Sequence, residues 1–422
     1  MRICLVSSSF YPATFYGGPI SATWDLSKKL AEKDIEIYVS TTNANGLEQL
    51  DVKVNQSIKK QENLQDISLS IYKKRWLKFK MMKRGYYSFC IITILYLLSW
   101  FLPLLVNNKA LIVKHEGEYY FPAIHSFSLI PDQIFMGDLF GQDVPGEANY
   151  RLLQEKWQDE NSDNWILMPP YPFGPLEGVG SQDNERWGLK MYSTPSSLHW
   201  FGTDDTGRDV FSRLVYAFNI SITFALILAV LNYAIGIAIG GTMGYYGGKF
   251  DLLFQRIIEI WGTLPMLFVI IIIASIIRPT FFLLIFIYII VNWISMTYLM
   301  RAEFYREKAK DYVAAALSIG QSNAKVIFKH ILPNSLVPVI TYFPFAIVGY
   351  IASLVALDFL GFGLPPPTPS WGQMLGIGLQ NISKWWMVFS PVGAEFFTLM
   401  LVVFIGEGVR EAFDPKVYSR LR

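Results

Sequence analysis

DYVAAALSIGQSNAKVIFKHILPN, residues 311–334, decides how this chain is read. Ala314, Ala315 and Ala316 are strong helix formers without bulk. Gly320 suits the left-handed residue that ends a helix, and Ser322 can cap the next one. The spacing therefore predicts two short helices, the first with small side chains that allow close docking. The second carries Val326, Ile327, Phe328 and Ile331 beside Lys325 and Lys329, and Pro333 is expected to stop it. Two interpretations fit this pattern: a lever presented to a partner, or an ordinary amphipathic loop lying on a membrane surface.

Apolar runs lie on both sides of this stretch. Of the 422 residues 52% are hydrophobic and only 17% charged, a balance that points to lipid rather than to a soluble fold. The run 88–106 has about 19 residues without a charge, close to the roughly 20 that cross a hydrocarbon core. Further runs cover 220–241, 260–277, 281–300, 336–357 and 394–406, the last needing its flanks, so six spans are expected. Lys73, Lys74, Arg75, Lys78, Lys80, Lys83 and Arg84 precede the first span and place that end in the cytoplasm. Six spans then return the 301–333 connection to the same side, where Arg301, Arg306, Lys308, Lys310, Lys325 and Lys329 agree with it. Both termini are expected in the cytoplasm. Residues 107–215, with Glu147, Glu155, Asp159, Glu160 and Asp163 among many aromatics and prolines, are expected outside as a cap.

Two more stretches carry possible function. HWFGTDDTGRDVFSRLVYAFNIS, residues 199–221, holds Asp204, Asp205, Arg208 and Asp209, which either brace the external cap by mutual pairing or decorate a solvated turn. LDFLGFGLPPPTPSWGQML, residues 357–375, contains Pro365, Pro366 and Pro367, which cannot continue a helix and direct a stiff re-entrant turn. Glu259, Arg278, Asp358 and Glu407 lie near predicted span ends, where charges usually anchor at the interface; Asp358 is the preferred functional exception.

Several classes are excluded. GYYGGKF fails the phosphate-loop spacing, since Met243 stands where the first Gly belongs and Phe250 follows Lys249, and no such loop occurs elsewhere. The chain is therefore not expected to hydrolyse ATP. A net charge of +2, with basic residues grouped around apolar runs, gives no argument for nucleic acid. Cys4 and Cys90 support neither a disulfide framework nor a metal site. The start, MRICLVSSSF, shows no cleavable signal pattern.

Residues 1–80 differ from the rest. RICLVS and IEIYVST look like strands, residues 16–21 are turn material, and 20–33 has helical periodicity: the opening of a doubly wound α/β unit whose further strands do not follow.

The stretch 311–334 resembles the coupling motif of ABC-importer permeases, in which a Glu-Ala-Ala triplet, a Gly and a terminal Leu-Pro are spaced as Ala314 to Ala316, Gly320, Leu332 and Pro333 are here. Ala314 stands where many members have Glu, and His330 where the broad pattern has Ile, although HILPN is usual in the oligopeptide and dipeptide branch. The 199–221 and 357–375 stretches, the GYYGGKFD turn and the GEGVREAFDPK ending resemble that branch too. The likeness covers 82–422 and is closest to the microcin C and long-oligopeptide group. It implies an α-helical multi-pass membrane protein, six transmembrane helices of the ABC-importer permease fold preceded by an incomplete α/β fragment. Its parts would be 1–80, a basic flank with the first helix at 81–106, an extracytoplasmic loop domain at 107–215, and a five-helix core at 216–422. It also implies ATPase coupling through Ala314, Ala315, Ala316, Gly320, His330, Leu332 and Pro333, and places Asp204, Asp205, Arg208, Asp209 and Asp358 as external gate or cap candidates. No cofactor or metal is implied on this chain; ATP and Mg belong to partners. Those partners are a second permease subunit forming a heterodimer, two ABC ATPase subunits or domains, an extracytoplasmic solute-binding protein and the lipid of a bacterial plasma (inner) membrane.

Residues 1–80 resemble instead the start of GT-B retaining glycosyltransferases, on Tyr11, Pro12, Gly17 and Gly18, with IYKKRWLKFK at 71–80 fitting a later strand. In that family the nucleotide-sugar site belongs to a second domain, whereas this sequence moves straight into apolar spans, so residues 1–80 read as a truncated remnant, a gene fusion or a joining artefact, with Met81 or Met82 as the original permease start. The competing functions are a membrane-anchored glycosyltransferase and a secondary transporter, the latter expected to show broken helices with buried acids at midplane.

Overall fold

The computed structural model describes residues 2–7, 36–41, 52–53, 71–126, 134–142, 146–160, 162–178 and 186–413. The chain divides into two units, Met1–Met82 with Arg410–Arg422, and Lys83–Val409.

In the first unit β1, Arg2–Ser7, pairs parallel with β2, Glu36–Thr41, with Arg2 opposite Glu36. β2 pairs antiparallel with β3, Val52–Lys53. The turn expected over 16–21 and the helix expected over 20–33 lie outside the described residues. The strand expected at 71–80 is corrected: Ile71–Met81 is a helix, α1. Lys, Arg, Leu and Met, all good helix formers, make up most of it, and its apolar residues do not alternate.

The second unit begins with α2, Lys83–Ser99, followed by a four-residue turn of helix at Leu102–Leu105. The continuous run expected over 88–106 is corrected here, because Pro103 sits at the start of that turn and has no N–H to extend α2. A small mixed layer follows. Strands β4, Ile112–His115, β5, Glu118–Tyr120, and β6, Trp165–Leu167, form an antiparallel sheet of order β5-β4-β6, and α3, Tyr150–Asp159, supplies Tyr150, Leu153 and Trp157 to its core with Val113, Phe140 and Ile166.

The remaining helices form a bundle. They are α4, Val210–Tyr246; α5, Gly248–Gly262; α6, Met266–Ile276; α7, Phe281–Lys308; α8, Asp311–Ser318; α9, Asn323–Phe359; α10, Trp371–Gln380; and α11, Trp385–Phe413. Among the described residues α4, α7, α9 and α11 are long and apolar enough to cross a membrane, and α5 with α6 makes a fifth if that pair counts as one span. The apolar run over 260–277 is broken within its length, since α5 and α6 are bent by 69°. Pro265 caps α6 without a donor of its own, and Gly262 ends α5. α2, at 17 residues, rises only about 25 Å, against roughly 30 Å of hydrocarbon. α4 rises about 55 Å and must project well beyond such a layer.

Three apolar clusters stack along the bundle. One joins Val210, Leu214, Trp371 and Trp386; the next joins Phe224, Leu228, Tyr288 and Leu354; the last joins Met300, Phe304, Val313, Val326 and Ile331. α4 and α7 meet closely because Gly236, Gly240 and Gly244 fall on one face of α4. A Cβ at Gly236 would lie 2.6 Å from Met296 Cβ, one at Gly244 2.6 Å from Arg301 O, and one at Gly240 would strike Thr297 O. Backbone cannot step aside as a side chain can, so Gly240→Val is expected to destabilise the bundle by about 1–3 kcal/mol as overpacking. The measurement is a melting curve in detergent, with Gly349→Val, where a Cβ meets nothing within 4 Å, as the control.

Candidate functional site

The connection from α7 to α9 is built around α8. Its end is a Schellman closure: Gln321 N–H donates to Ala316 O at 3.1 Å and Gly320 N–H to Leu317 O at 2.9 Å. This needs a left-handed residue at Gly320, which has φ 78°. α8 thereby shows two faces. Val313 and Ala316 are buried in the lowest cluster, while Ala314, Ala315, Leu317 and Ile319 are exposed. Phe328, 69% exposed, adds a ring to the solvent-facing side of the connection. The alanine triplet is therefore divided, with one residue inward and two outward.

Polar contacts fix this connection to the bundle. Buried Glu307 accepts from Tyr312 Oη at 2.8 Å and from Lys310 Nζ at 2.7 Å. Burial, reinforced by the Glu307 carboxylate, pushes the Tyr312 hydroxyl up from its ordinary pKa, so it remains a donor. His330 Nε2 meets Gln321 Oε1 at 2.8 Å, and Asn334 Nδ2 donates to His330 O at 2.9 Å. Ser322 caps α9 by accepting from Lys325 N–H. The expected stop at Pro333 is corrected. Val326–Ile331 winds as π-helix, Leu332 N–H donates to Ile327 O, and α9 runs on past an exposed Pro333. The wider turn takes up the register that a residue without an N–H would otherwise break.

The charge cluster before α4 separates into two groups. Asp204, fully buried, accepts from Thr206 N–H, Thr206 Oγ1 and Arg208 N–H, each at 2.9 Å, and from Arg208 Nε at 2.7 Å. Arg213 Nε lies 3.6 Å from Asp204 Oδ2, and its Nη1 donates to Pro175 O and Pro367 O. Asp205 is half-buried, 3.5 Å from Arg208 Nη2. Burial, then the Asp204 charge, raises the Asp205 pKa against the pull of Arg208 and Arg213. Asp209 does not join this pairing. It caps α4, accepting from Ser212 N–H at 2.7 Å, and also accepts from Tyr171 Oη at 2.7 Å and pairs with His199 Nδ1 at 2.8 Å. Burial and that carboxylate push the Tyr171 pKa up.

Asp358 ends α9 inside the protein. Its oxygens accept from Leu364 N–H at 2.6 Å and Ser370 Oγ at 2.5 Å, so the carboxylate ties the proline-containing loop back to the helix. Gly363 and Gly372 have no room for a Cβ beside it. Ser370 in turn caps α10. Arg213, His199, Tyr171, Glu307 and Tyr312 were not among the residues singled out by sequence. His199 and Arg213 stood inside the quoted 199–221 stretch, and the four-residue glycine spacing of α4 was visible; Tyr171 and Glu307 gave no local signal. Among the described residues no three His, Cys, Asp or Glu side chains are grouped to hold a metal.

Residues 236–419, which contain all of α8 and most of the bundle, match the family of binding-protein-dependent transport system inner membrane components. Across 343 residues the chain is 37% identical to the inner membrane ABC transporter permease protein YejE of Escherichia coli, covering 81% of this chain and 96% of that one. It belongs to this permease family. The peptidoglycan transport system permease protein YejE of Agrobacterium fabrum is 35% identical over 365 residues, 82% of this chain and 93% of that one. The dipeptide transport system permease protein DppC of Bacillus subtilis is 35% identical over 227 residues, 53% and 70% respectively. Membership accounts for a bundle of long apolar helices that carries no phosphate loop of its own. The chain is thus a multi-pass membrane permease of the ABC type.

Proposed function

We propose that the chain is the membrane-spanning subunit of an ATP-driven importer of oligopeptides or peptide-like compounds, of the kind represented by microcin C. The observation that carries this reading is the two-faced α8, anchored by Val313 and Ala316 and exposing Ala314, Ala315, Leu317 and Ile319 beside Phe328. Such a surface suits docking by a partner. The relatives named for dipeptide and peptidoglycan transport support the solute class.

In this reading α2 and the bent α5–α6 pair complete six spans, with both termini in the cytoplasm of a bacterial inner membrane. Two ATPase subunits, holding ATP and Mg, close beneath α8 and switch the pathway from inward-facing to outward-facing. A second permease subunit lines the other half of the pathway, and a solute-binding protein delivers the peptide to the far side, where residues 107–215 form the cap. Nucleotide can shift this equilibrium only through contacts that differ between the two states, so α8 must meet the ATPase differently in each. Neither sugar transfer nor ion coupling is needed.

The test is uptake of a labelled short peptide by the complete transporter in cells, with and without ATP depletion. Uptake is expected to vanish on depletion and to be unchanged when residues 1–80 are deleted. Uptake that persists without ATP would sink the importer reading.

A further inference from the structure

Arg278 is not tied into the fold by any polar contact among the described residues. It lies in the link between α6 and α7, exposed. An interfacial anchor would account for its position near a span end, yet the residue also lines a cavity of about 460 Å³. That volume lies within the roughly 300–1,000 Å³ of small-molecule sites. The walls come from the end of α6 at Ala274, Ser275 and Ile276, from Pro279, and from the Gly361 to Pro366 loop with Gln373.

The cavity carries one cation and one carboxylate, and only the carboxylate has partners among the described residues. That carboxylate is Asp358, whose two oxygens are already held by Leu364 N–H and Ser370 Oγ. Gln373 donates through Nε2 to Leu364 O, which leaves its carbonyl oxygen for an incoming N–H. A guanidinium without a partner, on the wall of a concave site, fits a planar carboxylate through two parallel hydrogen bonds.

We infer that this cavity receives the C-terminal carboxylate of a transported peptide on Arg278. The inference rests on the peptide-importer reading and names the part of the solute that this site recognises. Gln373 accepts an amide N–H of the same peptide, and the apolar walls of Ile276, Pro365 and Pro366 take its last side chain.

The test compares uptake, by the complete transporter in cells, of one labelled tripeptide with a free C-terminus and the same tripeptide amidated. R278Q is expected to raise the KM for the free acid about tenfold, equivalent to about 1.4 kcal/mol, and to leave the amide's KM unchanged. R278K is expected to recover part of the loss, because it keeps the charge without the fork. The amide serves as the control for folding and assembly. Equal shifts for both peptides would place Arg278 at a protein contact or in the fold and overturn the assignment, as would no shift for either. A wild-type transporter that imports neither peptide would overturn the peptide-importer reading itself, and this inference with it.

Discussion

Asp204→Ala is expected to cost about 3–5 kcal/mol of stability, the largest loss among single substitutions in the 199–221 stretch. Asp204 and Arg213 are both fully buried, so alanine leaves the Arg213 charge without its nearest carboxylate. The loss is compounded because the same side chain accepts the Thr206 and Arg208 N–H groups that close the turn leading into α4. Asp204→Asn keeps an acceptor for those donors and removes only the charge, so a smaller loss is expected. Asp205→Asn is expected to cost under about 1 kcal/mol, since its pairing with Arg208 is longer and partly solvated. The check is the midpoint of thermal unfolding in detergent for the three variants. If Asp204→Ala melts within a degree or two of Asp205→Asn, the buried network does not hold this segment.

This network shows where the sequence stops being informative. Four acidic and basic residues within six positions suggested mutual pairing, and Asp204, Asp205 and Arg208 do meet. Asp209 does not, because it stands at the first turn of α4, where orphan N–H groups and the positive end of the helix dipole attract a carboxylate. Its other partners, Tyr171 and His199, come from 38 and 10 positions away, a tertiary juxtaposition that no local pattern encodes. The long apolar runs were legible because lipid demands uninterrupted hydrophobic sequence. Where they break was harder to see. Pro103 and Pro265 interrupt helices that composition alone reads as continuous, whereas Pro333, Pro338 and Pro344 are absorbed within α9. Proline removes one donor in every case; whether the chain bends depends on whether neighbouring turns can rewind, as Val326–Ile331 does.

The alanine triplet provides the second prediction of large effect, because its three members differ in exposure though not in chemistry. Ala316 is 5% exposed against Val313, Val326 and Ile331, so Ala316→Glu forces a carboxylate into an apolar cluster. An unpaired buried charge is strongly unfavourable, and α8 is expected to leave the bundle, with loss of several kcal/mol and of co-purification with the ATPase subunits. Ala315→Glu puts the same group on the exposed face, where helix propensity changes by less than about 0.7 kcal/mol, and the melting midpoint is expected to stay at the wild-type value. Co-purification with the ATPases is nevertheless expected to fall, because that face is the docking surface in the proposed mechanism. Ala314→Glu, also exposed, restores the residue many permeases of this type carry and is expected to leave both readouts intact. A stable Ala315→Glu protein that binds the ATPases as wild type does would remove α8 from the contact, leaving the amphipathic loop on the membrane surface as the remaining account of residues 311–334.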